Sequence, residues 1–290
     1  MVSVEFDAIG TQWRIETGVA LSPALRRKVD GRIAAFEAVW SRFSADTLVA
    51  TIAKAPTGGT FHFPDEATDL FGLYDTLHRL TDGAIDPLVG RDLELLGYDA
   101  AYSLTPVASR HSEPRPNWWS DIYREGTTLL TRGPLVIDVG AAGKGLLVDI
   151  VTQILIDDGI QAVIVDAGGD MRLMGAEPIL VGLEHPFDAA LAIGVVEMAH
   201  GALCASAVGR RAWGDGLHHV LDGRTGRPTR DVVATWVRAG SAMIADGLAT
   251  ALFFIPPGDL ARSFTFSYAL MLADGRAEMS PCFGGELFID

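Results

Sequence analysis

An aspartate and a threonine spaced by four residues are the sharpest chemical signal in this 290-residue chain. Asp246 and Thr250 lie in the segment 241–254 (SAMIADGLATALFF), whose other residues are apolar or small. Such a segment reads as a buried helix, and the spacing puts both side chains on one face. A carboxylate there is costly unless it is paired or bound to a metal. Carboxylate and hydroxyl together offer hard oxygens suited to Mg²⁺; the competing reading pairs Asp246 with an arginine or has it cap a neighbouring loop. A second signal is the segment 140–145 (GAAGKG), which fails as a Walker A loop because Asp138 stands at the first Gly position and Gly145 at the Ser/Thr position. Two readings remain for it: a helix N-terminus presenting amides and Lys144 to a phosphate, or a tight turn with a solvated lysine. A third is the segment 218–228 (HHVLDGRTGRP), in which adjacent histidines on a strand face opposite ways, so that one of them beside Asp222 suits a general base. Standing alone, the same residues make a hairpin turn. His62, His78, His111, His185 and His200 are scattered and read as surface or core histidines. No HxxxH pair, GxSxG elbow or GxGxxG turn occurs.

The elements that must position these groups are legible from periodicity. Residues 2–6 and 12–17 alternate as a hairpin around Ile9, Gly10 and Thr11. Apolar residues at helical spacing predict a helix over 22–43, opened by Ser22 and Pro23, and a second over 65–80 ended by Asp82 and Gly83. Residues 102–133 turn polar and irregular, a connector or insertion. A strand over 135–139 then leads through the Gly-rich turn into a helix closed by Gly159, followed by a buried strand at 162–165 and a tight turn at 166–170. Further strands are expected near Arg172, at 179–183 and at 191–197. No internal repeat is visible.

Composition narrows the class. With 23 Lys and Arg against 37 Asp and Glu, the chain carries a formal charge of −14, which repels a nucleic-acid backbone. An anionic ligand therefore needs a divalent cation or an array of amides. Cys204 and Cys282 have no CxxC spacing, so neither a disulfide framework nor a thiolate zinc site is expected. No leader, lipidation site or apolar run of about 20 residues is visible, and a cytoplasmic chain without membrane insertion is expected.

Taken in chain order, eight segments resemble the ApbE family of FAD:protein FMN transferases. They are FDAIGT at 6–11, SRF at 41–43 with Thr47 and Leu48, GAIDPLVG at 83–90, DVGAAGKG at 138–145, DAGGD at 166–170, LCAS at 203–206, HHVLDGRTG at 218–226 and ADGLAT at 245–250. Each is weak alone; their order is specific. The resemblance implies an α+β fold of the ApbE flavin transferase type, with mixed sheets and packed helices. It also implies a single domain over 1–290 with a helical N-terminal portion over 18–100. By the same likeness, Mg²⁺-dependent transfer of FMN from FAD to a Ser or Thr hydroxyl of an acceptor protein, with release of AMP, is expected. Carried over by position, Asp246 and Thr250 match metal ligands, with a backbone carbonyl from Gly143. His219 matches the histidine of the H-x-x-D-x-R-T-G segment and is the expected base of near-neutral pKa. Gly10, Thr11, Asp86, Lys144, Asp166, Gly168, Gly169, Asp170, Ser206 and Asp222 are expected around the flavin nucleotide.

Two alternatives stay open beside transfer, one of them through departures from the family pattern. The usual Gly-Gly-Ile-Ala-Lys-Gly is Gly-Ala-Ala-Gly-Lys-Gly at 140–145, Met-Gly-Thr is Ile-Gly-Thr at 9–11, and Ala-Thr-Ser-Gly is Cys-Ala-Ser-Ala at 204–207. A main-chain ligand survives a side-chain change at Gly143. Ala205 removes a hydroxyl and Ala207 a flexible glycine, which keeps FAD binding without turnover open as a reading; FAD hydrolysis to FMN and AMP stays open as well, because it would use the same residues as the transfer.

Overall fold

Alternating apolar and polar residues build the expected hairpin: β1 (Val2–Ala8) pairs antiparallel with β2 (Thr11–Thr17) through a turn in which Ile9 and Gly10 both take positive φ. The computed structural model describes residues 1–107 and 115–288, so His111 and part of the 102–133 segment lie outside the described residues. The chain continues through α1 (Pro23–Trp40), α2 (Leu48–Ala53), β3 (Gly59–His62), α3 (Ala67–Leu80), α4 (Gly90–Leu95), β4 (Ile122–Glu125), β5 (Thr128–Thr131) and α5 (Gly143–Asp157). Next come β6 (Val163–Ala167), β7 (Asp170–Met174), β8 (Ile179–His185), β9 (Asp188–Met198) and β10 (Gly201–Ala207). Short strands β11 (Ala212–Trp213), β12 (Leu217–His218), β13 (Leu221–Asp222) and β14 (Arg227–Pro228) precede β15 (Val232–Ala239). The C-terminal part holds α6 (Ala242–Ala251), α7 (Pro257–Leu260), β16 (Ser267–Leu272), β17 (Ala277–Met279) and β18 (Gly285–Leu287).

These elements fall into two compact units. One comprises Met1–Ala34, Ala142–Arg210 and Arg230–Asp290; the other comprises Ala35–Ala141 and Arg211–Thr229. The first is built on an eight-stranded sheet of order β1-β2-β6-β7-β10-β15-β16-β17, antiparallel throughout. Because side chains alternate across a strand, one face carries Ile164, Leu173, Leu203, Trp236 and Ala269, which form a core with Leu183 and Val196 of the small sheet β18-β9-β8 and with Phe283 in the turn before β18. The opposite face receives α5 on β6 and β7, and α6 on β10 and β15. Small residues allow the two helices to approach closely: a Cβ on Gly145 would lie 2.2 Å from the Ala242 carbonyl oxygen. In the second unit, Phe71 of α3 packs edge-on or tilted against Phe63 and Trp118, with Trp40 against Phe63, and β3, β5 and β4 form a three-stranded sheet.

Three expectations are corrected. Residues 135–139 are buried but extended outside any ladder; Pro134 withholds one amide, and the Asp138 amide donates to the Pro87 carbonyl (2.7 Å) instead of a neighbouring strand. The 102–133 segment is not all irregular, since it contains the β4–β5 hairpin, whose alternation is too short to stand out. The strand at His218 ends there, so His219 does not lie on the opposite face of a continuing strand. Among the described residues, no helix is long and apolar enough to cross a membrane.

Candidate functional site

The strand–turn–helix at α5 sets the first group of side chains. Lys144, in the first turn, donates to the Ala167 carbonyl (3.0 Å) and pairs with Asp170 Oδ2 (2.7 Å). Asp170 opens β7 and is fully buried. Burial alone would lower the lysine's affinity for its proton, but Asp170 and then Asp246 outweigh that loss and hold it cationic. Asp246, 4% exposed on α6, accepts the Gly145 amide on its Oδ2 (2.9 Å). Thr250 follows one turn later, half-buried. Cys204 on β10 faces the same layer; burial, then the Asp170 and Asp246 charges, push its pKa well up, and the thiol donates to the Ala242 carbonyl (3.4 Å).

Glycine is required at the turn joining β6 and β7. Gly168 and Gly169 take φ of +63° and +101°, and a Cβ on Gly168 would fall 2.1 Å from Thr11 Oγ1. Asp166 braces this turn by accepting the Gly169 amide (2.9 Å), while the Arg210 guanidinium donates to the Gly168 carbonyl and pairs with Glu184 (3.1 Å). Ser206 sits on β10, half-buried, opposite Thr235. Gly10, Thr11, Gly143, Lys144, Asp166, Gly168, Gly169, Asp170, Ser206, Asp246 and Thr250 all belong to one unit, and within it contacts join Lys144 to Asp170, Asp166 to Gly169 and Thr11 to Gly168.

The remaining expected site residues, Asp86, His219 and Asp222, belong to the other unit. Asp86 accepts the Leu88 and Trp118 amides (2.8 and 3.0 Å) and lies 3.3 Å from His78 Nε2. His78, Asp86, Asn117, Trp119, Gly223 and Arg224 line a cavity of about 620 Å³ there. Asp222 accepts the Arg224 amide (2.9 Å) and its guanidinium (2.6 Å), which together outweigh desolvation and keep its pKa low. His219 departs from the near-neutral expectation: desolvation, then the Arg211 guanidinium and His218, lower its pKa to about 3. Its ring is therefore neutral at physiological pH.

Some groups escaped the sequence reading. Asp138, noticed there only for spoiling a Walker A match, is bound by Arg42 Nε (2.5 Å) and accepts the Gly140 amide (2.7 Å), which outweigh burial and lower its pKa. Arg42 also donates to the Tyr98 carbonyl (2.8 Å). Asp149, four residues beyond Gly145 and hence on its face of α5, accepts the Ala242 and Met243 amides at 2.9 Å each. That spacing was the available signal.

The donor set fits a hard divalent cation. Among the described residues no group of three His, Cys, Asp or Glu side chains forms a metal site by itself. An ion at α6 would instead draw on the Asp246 carboxylate, the Thr250 hydroxyl and backbone oxygen, donors that suit Mg²⁺ and not a thiolate-seeking metal. Gly143, the expected backbone donor, is the first residue of α5.

An antiparallel sheet carrying two packed helices, with a Gly-rich helix entry held to a buried Asp on the next helix and a half-buried Thr one turn further on, defines a class. The chain belongs to the ApbE family, whose model matches residues 9–267. It is 28% identical over 261 residues to the FAD:protein FMN transferase of Vibrio cholerae serotype O1, covering 84% of this chain and 78% of that one. Against the FAD:protein FMN transferase of Rhodobacter capsulatus it is 28% identical over 226 residues, 73% of this chain and 43% of the other. In structure it is similar to the ApbE protein of Thermotoga maritima, with a TM-score of 0.84 and 25% identity over 98% of this chain and 99% of that chain. The flavin transferase ApbE of Vibrio cholerae shares the fold at a TM-score of 0.79, with 24% identity over 97% of each chain. The expected α+β fold of this family is borne out.

Proposed function

We propose that this chain cleaves FAD at its pyrophosphate and transfers the FMN half to a Ser or Thr hydroxyl of an acceptor protein, releasing AMP, with Mg²⁺ as the required cation. One observation supports the reading above the others: a buried carboxylate, Asp246, fixed by the Gly145 amide at the entry of α5, one helical turn from Thr250 and close enough to Lys144 to hold it cationic. Asp246 and Thr250 would hold the ion, with Gly143 as the expected backbone donor. When bound, Mg²⁺ supplies neutralisation of charge at the pyrophosphate. Lys144 and the amides of the first turn of α5 add positive potential for the same anion.

In the reaction, the acceptor oxygen forms a bond to the FMN phosphorus while the bridging P–O bond breaks, and AMP leaves with that electron pair. The hydroxyl proton passes to a base. His219 is the assigned acceptor by its match to the histidine of the family's H-x-x-D-x-R-T-G segment, and its imidazole is neutral at pH 7 and so in the form that takes up a proton. The test is incubation with FAD, Mg²⁺ and candidate acceptor proteins, followed by intact-mass measurement. A mass gain of one FMN is expected, and Asp246→Asn should slow it by roughly 100-fold or more, the scale of losing a group that stabilises charge at a reacting centre. AMP release without modified acceptor would reassign the chain as an FAD pyrophosphatase, and tight FAD binding with neither product as a binding protein.

A further inference from the structure

We infer that Asp149 is a positioning residue for the cation site: it fixes the height and rotation of α6, so that Asp246 and Thr250 point where an ion and a pyrophosphate need them. This rests on the reading of Asp246 and Thr250 as ion ligands. The first amides of a helix have no partner within it and must find one outside. In α6 the Ala242 and Met243 amides go to the two oxygens of Asp149 (2.9 Å each), and the Ile244 amide goes to Ser241 Oγ (3.3 Å). A carboxylate gripping two successive amides determines where the helix begins and how it is turned about its axis. Its charge also complements the positive end of the helix.

Asp149 is itself tied down. Arg172 on β7 donates to its Oδ1, so the carboxylate cannot swing with solvent. Four residues earlier on the same face of α5, the Gly145 amide holds Asp246 Oδ2. Helix α5 therefore grips α6 twice, once at its start through Asp149 and once at the proposed ligand itself. The far half of α6 is pinned separately, by Thr235 Oγ1 donating to the Ala249 carbonyl (2.7 Å). If Asp149 is lost, α6 stays attached through Thr235 and the Gly145 amide, but two of its first three amides lose their acceptors, so the first turn shifts and the helix rotation that aims Asp246, one residue beyond that turn, is no longer fixed.

The experiment is a Mn²⁺ titration followed by electron paramagnetic resonance on the intact wild-type, Asp149→Asn and Arg172→Lys proteins, with circular dichroism as the fold control. Asparagine keeps the size of Asp149 but accepts through only one oxygen. Asp149→Asn should weaken Mn²⁺ binding by about 10-fold or more, as residues that orient a ligand do. In turnover assays the Mg²⁺ concentration for half-activation should rise in parallel, with kcat at saturating Mg²⁺ largely retained. Arg172→Lys should move the same constants in the same direction by less. Wild-type Mn²⁺ affinity in Asp149→Asn, or loss of kcat with that affinity unchanged, overturns the assignment. If Asp149→Asn does not fold, Arg172→Lys decides, and unchanged affinity there overturns it. A wild-type protein that takes up no Mn²⁺ removes the ion reading of Asp246 and this inference with it, an outcome distinct from equal affinity in wild type and variants.

Discussion

Two glycines with nearly the same backbone angle carry different burdens. Gly10 has φ of +73° with open space where a Cβ would stand, whereas Gly168, at +63°, has Thr11 Oγ1 2.1 Å from that position. Gly10→Ala should therefore cost about 1 kcal/mol, the conformational part alone. Gly168→Ala carries the same backbone cost and must also displace the Thr11 hydroxyl, which should add about 1–3 kcal/mol. Urea unfolding of the two variants measures the difference. His219 allows a second check. Its folded pKa is about 3 against an ordinary value of 6.5, so between those values the unfolded chain holds the extra proton. Its contribution to stability is complete above pH 6.5 and is lost progressively as pH falls toward 3. His219→Gln should flatten that part of the profile, seen by comparing urea midpoints near pH 7.5 and pH 4.5. The sequence located His219 but not its surroundings, because the Arg211 charge and the desolvation that lower its pKa come from folding and leave no spacing to read. Asp246 and Thr250 were easier, since one helical turn is a local distance.

At the scale of elements, the contact between α5 and α6 depends on the missing side chain of Gly145. Alanine there would place a methyl 2.2 Å from the Ala242 carbonyl oxygen, a backbone contact that only a shift of the helices can relieve. Gly145→Ala should push the helices apart at a cost of about 1–3 kcal/mol, visible as a lowered Tm. Local periodicity revealed both helices, the N-terminal hairpin and most strands of the main sheet. It misled at residues 135–139, where an apolar run resembles a strand but pairs with none, because burial and strand pairing are separate requirements. The tie between Asp149 and α6 spans 93 positions in the sequence, beyond any periodic signal.

For the whole molecule, the formal charge of −14 makes the cationic spots informative. Lys144 and Arg210 both lie against the glycine turn of β6 and β7, each paired with a carboxylate, and under the proposed function they would be this acidic protein's provision for an anion. Composition revealed the need for such a provision but not its place, since Arg210 and Gly168 meet only through the fold. The main sheet is assembled from three separated stretches of chain, and β10 requires β15, which in turn requires β16. A fragment ending at residue 230 should therefore lose the part of the near-ultraviolet dichroism that comes from Trp236 in the main-sheet core, while the aromatic cluster of the second unit, complete in that fragment, keeps its own contribution.

The same pairing order bears on biosynthesis. The second strand of the first hairpin finds its outer neighbour only at Val163–Ala167, so some 145 residues must leave the ribosome before that edge is covered. At about 5–20 residues per second, the nascent hairpin spends many seconds with an open flank. Glu5, Asp7, Arg14 and Glu16 along it supply charges that discourage stray pairing during the wait.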